Sequence, residues 1–198
     1  MQFERDDQLF EKLLDRQVLP GSTYLTFARD TVVTDDGTQR TREVLLHPGA
    51  VTVAGVLSDR RVLLVRQYRH AAGEILVELP AGTLDMLDDG SVEEPLPAAK
   101  RELFEETGHR AQTWRQIAEF FTAPGFATEL MRLYLATDVE YDASHPGAAD
   151  DERLQVKIVP FDEALAMAED GSIRDAKTLV GLYLVDRLAR RGEIPELA

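Results

Sequence analysis

Apolar and polar positions alternate in short runs along most of the chain, and turn-forming residues separate the runs. Residues 3–16 are a short mixed run that reads as helix. Thr23–Val33 and Thr41–Leu46 flank Asp35-Asp36-Gly37. Asp-Gly between two β-prone runs signals a hairpin. Val51–Leu57 and Arg61–Gln67 flank Ser58-Asp59-Arg60 and predict a second hairpin. Ile75–Leu79 is a short strand that stops at Pro80-Ala81-Gly82. An acidic, turn-rich segment follows from Asp85 to Glu94. A helix is expected from Pro95–Pro97 to Gly108, because proline is tolerated in a first turn and glycine caps a C-terminus. Trp114–Phe121 and Met131–Val139 read as strands around the turn Ala123-Pro124-Gly125. Asp142–Asp151 is a polar loop, Leu154–Val159 a strand, and Phe161–Glu169 and Asp175–Arg191 helices. Many strands, one central helix and two late helices predict an α+β fold, a mixed β-sheet core sandwiched by helices with an N-terminal antiparallel β-hairpin extension.

Composition narrows the function classes. The length of 198 residues fits one domain with a proper core, or a domain plus a small extension. No stretch is long and apolar enough to span a bilayer, so no membrane partner is expected. Residues 1–16 carry acids from Glu4 onward and lack an apolar signal core, which predicts a cytoplasmic protein. The absence of cysteine excludes disulfides, thiolate metal sites and cysteine nucleophiles. A formal charge of -14 disfavours nucleic acid as a partner. A small phosphorylated substrate remains compatible, given local arginines and divalent cations held by the protein's own carboxylates.

The densest chemistry lies in Arg101-Glu102-Leu103-Phe104-Glu105-Glu106-Thr107-Gly108. On a helix, Glu102, Glu105 and Glu106 share an arc of roughly 100°. Leu96, Ala99 and Leu103 form a neighbouring apolar stripe that can pack on the sheet. Carboxylates this close repel and do not stabilise an isolated helix. Hard, oxygen-seeking cations would account for them: Mg2+, with Mn2+ as the alternative. Taken alone, the trio reads more readily as a solvated charged face.

The surrounding residues change that balance. From Arg101 to Gly108 the chain resembles the Nudix hydrolase family, whose box runs Gly, five residues, Glu, seven residues, then Arg-Glu-aliphatic-x-Glu-Glu-x-Gly-aliphatic. Glu93 sits at the family's distance before Arg101. Two positions depart from the pattern. Leu87 stands where the box glycine belongs, and Gly82 is its natural equivalent, which implies about five extra loop residues. His109 replaces the aliphatic residue after the last glycine, where only a packing change is expected. Glu78-Leu79-Pro80-Ala81-Gly82, Gln67-Tyr68-Arg69 and Pro124, sixteen residues past the box, resemble the ADP-ribose pyrophosphatase subfamily.

The resemblance implies a Nudix-type domain over residues 48–198, preceded by the hairpin extension at residues 1–47. It implies metal-dependent cleavage of a nucleoside diphosphate joined to another group, foremost ADP-ribose to AMP and ribose 5-phosphate. GDP-mannose or a non-catalytic nucleotide sensor are the alternatives. Glu102, Glu105, Glu106 and the Ala81 carbonyl would hold metal, and Arg101 would orient a box glutamate. The metal would offset the diphosphate charge and acidify a water. Glu152, with Asp150 second, is the candidate base on the late acidic loop. Arg69 would hold phosphates, and Pro124 lies in the substrate region. Phe27, Tyr68 and Phe126 are candidates to stack on the base, and sequence does not choose among them. The N-terminal strands of the subfamily pack across a two-fold axis, which implies a homodimer with Arg42 or Phe27 reaching the neighbour's nucleotide.

Overall fold

A computed structural model of the protein describes residues 11–20, 25–145 and 154–197. The elements are β1 (Lys12–Val18), β2 (Thr26–Val33), β3 (Gln39–Leu46), β4 (Ala50–Gly55), β5 (Arg61–Arg69), β6 (Glu74–Glu78), β7 (Ala81–Thr83), α1 (Pro95–Thr107), β8 (His109–Phe121), β9 (Leu130–Tyr141), β10 (Leu154–Pro160), α2 (Phe161–Glu169) and α3 (Ala176–Ala189). The chain divides into two compact units. One comprises Met1–Pro48 with Phe121–Glu129, and the other Gly49–Phe120 with Leu130–Ala198.

The larger unit is α+β, with two sheets ordered β7-β4-β9-β8 and β10-β5-β6. The first is mixed, because β4 runs parallel to β9 and antiparallel to β7. Its core follows the period-two alternation of strands. Val51, Val53, Leu63, Tyr134 and Ala136 face Ala98, Ala99 and Leu103 of α1. The intervening Ala54, Leu64, Leu133 and Leu135 face Phe161 and Ala164 of α2 and Leu182 and Val185 of α3. Helices therefore cover both sides, as the sequence predicts. This double cover explains why all six residues of β4 are buried although the strand is short.

Two local expectations fail. Val51–Leu57 and Arg61–Gln67 do not form a hairpin ladder. A tight turn does join them, with Leu57 N–H donating to the Arg61 carbonyl at 2.8 Å and a single bridge from Val56 to Val62. Beyond that bridge the strands part into different sheets. Leu63 of β5 then packs on Gly55 of β4, where a Cβ would lie 3.1 Å from the leucine methyl. Both runs are apolar on both faces, so each gains more from stacking and from its own neighbours than from mutual pairing.

The second failure is the helix over 3–16. Residues 12–18 form β1, which pairs antiparallel with β2 from Lys12↔Val33 to Val18↔Ala28. Residues 1–10 lie outside the described residues. The mixed run has weak local preference, and the open edge of β2 decides its conformation. The extension is thus a three-stranded sheet rather than a lone hairpin, with β2 and β3 paired from Thr26↔Leu46 to Val33↔Gln39. The segment after β8 joins the same unit: Leu45 N–H donates to the Phe126 carbonyl at 2.7 Å and Thr128 N–H to the Leu45 carbonyl at 3.0 Å. Among the described residues no helix is long and apolar enough to cross a membrane.

Candidate active site

Helix α1 is framed as its sequence dictates. Pro95 opens the first turn, and Gly108 closes it in the left-handed region with its N–H on the Phe104 carbonyl. A side chain at Gly108 would also meet Tyr141 at 2.8 Å, so the position requires glycine for both reasons. Buried Ala98, Ala99 and Leu103 fix the rotation of the helix. That rotation carries Glu102 and Glu106 inward, where they are 8% and 5% exposed, and leaves Glu105 outside.

Both inward carboxylates meet the Pro80–Gly82 turn. The Ala81 N–H donates to Glu106 Oε2 at 3.0 Å. A Cβ on Gly82 would fall 2.0 Å from the Glu102 carboxylate, so glycine is needed here for space rather than for backbone angle. The Pro80 carbonyl is itself fixed by the Val53 N–H at 2.9 Å and the Thr52 hydroxyl at 3.1 Å. Strand β7, the turn and α1 are thereby locked into one arrangement of oxygen atoms.

Arg101 is the hub of the charged edge. Its Nη1 donates to Glu102 Oε1 at 2.7 Å and Glu105 Oε2 at 3.0 Å. Its Nε and Nη2 donate to both oxygens of Glu93 at 3.3 and 2.8 Å. The hydrogen bonds it donates to Glu93 hold the guanidinium above its ordinary pKa against the opposing effect of burial. Arg101 in turn holds the Glu93 carboxyl below its ordinary value. The role of Glu93, which sequence left open, is to anchor this arginine. The loop between Gly82 and Glu93 closes on itself. Met86 bridges Val92, and Glu93 N–H donates to the Asp85 carbonyl at 2.8 Å, returning Glu93 to Arg101.

Arg69 ends β5 and is held by a residue that sequence reasoning overlooked. Its Nε and Nη2 donate to the two oxygens of Glu78, each at 2.7 Å. Glu78 is fully buried and also pairs with Lys177 of α3. Burial pushes its carboxyl up, but the Arg69 and Lys177 pairings together outweigh that and the net shift is down. Arg69 feels the charge of Glu106 as well, which puts it in the neighbourhood of the box carboxylates. The signal that could have found Glu78 is its place in Glu78-Leu79-Pro80-Ala81-Gly82, one strand residue before the turn.

A cavity of about 560 Å3 opens on the Glu106 side, lined by Thr107, His109, Tyr141, His145 and Val156 among others. His109 Nδ1 lies 2.8 Å from the Thr107 carbonyl, and its ring packs edge-on against Tyr141. Burial pushes its pKa down. Glu152 and Asp150 fall outside the described residues. Phe27, Arg42, Pro124 and Phe126 belong to the smaller unit. Phe27 and Phe126 are exposed there, and Arg42 pairs with Glu11.

Among the described residues no three Asp, Glu or His groups close into a cage around a metal ion. Arg101 bridges Glu102 and Glu105 instead. Two buried carboxylates beside a fixed backbone turn do match the donor chemistry of Mg2+. That ion takes few protein oxygens and leaves its other positions to water and substrate phosphate.

The profile of the NUDIX domain matches residues 46–180. The chain belongs to the Nudix family. It is 33% identical over 170 residues to the ADP-ribose pyrophosphatase of Bacillus subtilis, covering 86% of this chain and 89% of the relative. It is 35% identical over 178 residues to the GDP-mannose pyrophosphatase of Cronobacter sakazakii, covering 81% and 87%. A crystal structure of an ADP compounds hydrolase superposes with a TM-score of 0.76 at 22% identity, covering 93% of this chain and 97% of that one, which establishes the shared fold. This Nudix protein is therefore a hydrolase of the same kind as these pyrophosphatases. Nudix hydrolases need a divalent cation, generally Mg2+.

Proposed function

We propose that this Nudix hydrolase cleaves the pyrophosphate bond of ADP-ribose, giving AMP and ribose 5-phosphate. The observation that carries the hydrolytic part is the inward burial of Glu102 and Glu106 against the Ala81–Gly82 turn. Glu102, paired with Arg101, and Glu106 are held as neighbouring like charges by packing, an arrangement that a divalent cation would stabilise. Glu102, Glu106, the more exposed Glu105 and the Ala81 carbonyl would hold Mg2+. When bound, the cation neutralises diphosphate charge and acidifies water. Arg101 fixes Glu102 and Glu105 through its Nη1. Arg69 offers a guanidinium to the phosphates. Glu152 is the proposed base, on sequence position alone.

The choice of ADP-ribose rests on the Bacillus subtilis relative and on Arg69, Pro124 and the Glu78–Gly82 motif. The Cronobacter relative supports GDP-mannose as the second reading. A panel of nucleoside diphosphate sugars assayed with Mg2+, with products separated by chromatography, decides between them. AMP and ribose 5-phosphate formed fastest from ADP-ribose is the expected result. Faster turnover of GDP-mannose would move the assignment, and no turnover of any compound would favour a sensor.

We also propose a homodimer formed through the N-terminal strands. Leu13, Leu14 and Val18 of β1 and Phe27 of β2 are exposed apolar residues of one sheet. A second copy of the same surface would cover them. Arg42 and Phe27 would then serve the neighbour's nucleotide.

A further inference from the structure

Four charged side chains link α3 to the end of β5 in a row of alternating sign. Asp175 accepts from Lys177 Nζ at 2.9 Å, Lys177 pairs with Glu78, and Glu78 accepts both hydrogen bonds of Arg69. Lys177 and Glu78 are buried, whereas the Arg69 side chain is 42% exposed. Arg69 donates to Glu78 through Nε and Nη2, and among the described residues its Nη1 has no protein acceptor. The row thus begins at the N-cap of α3 and ends in a guanidinium with one nitrogen to spare, close enough to Glu106 to feel its charge.

The inner end is fixed independently. Asp175 caps α3 by accepting from the Thr178 N–H at 3.0 Å and hydroxyl at 2.6 Å. The same hydroxyl accepts the Leu79 N–H at 2.7 Å. A Cβ on Gly181 would lie 2.4 Å from a Leu79 methyl, so the helix rests directly on the strand. Lys177 consequently has one place to put its charge.

We infer that Lys177 is a positioning residue for phosphate binding: by sharing Glu78 it keeps the charge of Arg69 available and its guanidinium aimed outward. Without Lys177, Arg69 would be left as the main counter-charge of the buried Glu78, and its charge would be spent on the protein. The inference rests on the proposed role of Arg69 at the diphosphate.

Steady-state kinetics test it on whichever nucleoside diphosphate compound the wild type cleaves fastest, so that a wrong substrate assignment appears before any variant is compared. Lys177→Met is expected to raise KM roughly 10-fold while kcat changes less than about 3-fold, the pattern of lost binding rather than lost chemistry. Lys177→Arg should restore KM. In an Arg69→Ala background, Lys177→Met should add less than about 2-fold, because the residue acts through Arg69. An unchanged KM, an equal effect in both backgrounds, or a fall confined to kcat would overturn the inference. If Lys177→Met does not fold, Lys177→Gln, which retains a donor to Glu78, takes its place with the same readouts. Gly181→Ala presses on Leu79 without touching the charges. It should lower thermal stability and leave the KM of the folded enzyme near wild type. A KM rise equal to that of Lys177→Met would reduce the row to a structural clamp.

Discussion

Strand β4 of the larger unit is buried at all six positions, whereas β1 of the smaller unit is exposed at all seven. Both are short strands rich in aliphatic residues. The difference lies in their covers. Helices pack on both sides of β4, and its alternating side chains enter two separate cores. β1 is an edge strand, and the buried residues of its neighbour β2 are Ala28, Asp30 and Val32. One of those three is an acid, paired with Arg16 through two hydrogen bonds at 2.8 and 2.6 Å. A strand without a cover keeps its apolar residues available, which is a liability for a free edge and a resource for association. The doubly covered unit holds the neighbouring carboxylates Glu102 and Glu106 in place.

The largest effect that would break this division is in the larger unit. Glu106→Gln keeps an oxygen for the Ala81 N–H and removes a charge. Turnover at saturating Mg2+ is expected to fall by at least about 100-fold, with no loss of thermal stability, since a like charge near Glu102 is removed. A loss of only a few-fold would remove Glu106 from the metal site. Gly82→Ala should reduce both quantities. Its methyl would occupy the place of the Glu102 carboxylate, and overpacking of this kind costs about 1–3 kcal/mol. Calorimetry and turnover measured together separate the two substitutions.

The smaller unit should answer differently. Light scattering at micromolar concentration is expected to give twice the mass of one chain. Deleting residues 1–40 should give a monomer with activity reduced by about 10-fold or more, if the neighbour supplies part of the site. A monomeric wild type whose truncated form keeps full activity would sink both the dimer and the shared site.

How far these regions could be read in advance differs for physical reasons. Helix α1 was legible because its signals are local: proline at the start, glycine at the end and an apolar stripe between. Helices α2 and α3 followed from the same kind of signal. The pairing of β4 with β9 was not legible, because parallel neighbours are far apart in sequence and a fully apolar strand carries no facing signal. β1 was misread because an edge strand takes its conformation from the strand beside it. At the site, spacing brought out Glu102, Glu105, Glu106 and Arg101. It could not reveal that Glu78 and Lys177, 99 residues apart, form one buried pair. Such pairs depend on tertiary contact, and a lone lysine in a helix reads as surface.

The smallest effect compares acid stability in the two units. The Glu93 carboxyl is shifted below its ordinary value of 4.5, first by hydrogen bonds from Arg101. Its pairing therefore stabilises the fold in full above pH 4.5, and that contribution fades as pH falls through the folded value. Glu78 shifts the same way, and neutral His109, whose pKa burial lowers, adds a further loss below its ordinary 6.5. In the smaller unit Asp36 is held at about 2, first by the Thr34 hydroxyl, but it is fully exposed in a turn. Glu93→Gln should cost about 1–2 kcal/mol at pH 7, and the difference from wild type should shrink as pH falls below 4.5. Asp36→Asn should change the acid midpoint less, because solvent screens an exposed turn that no packed neighbour reinforces. Denaturant melts at pH 7, 5, 4 and 3 read both variants. If Asp36→Asn shifted the acid midpoint more than Glu93→Gln, the resistance to acid would reside in the N-terminal sheet, and the contrast between a doubly covered larger unit and a sparsely covered extension would be reversed.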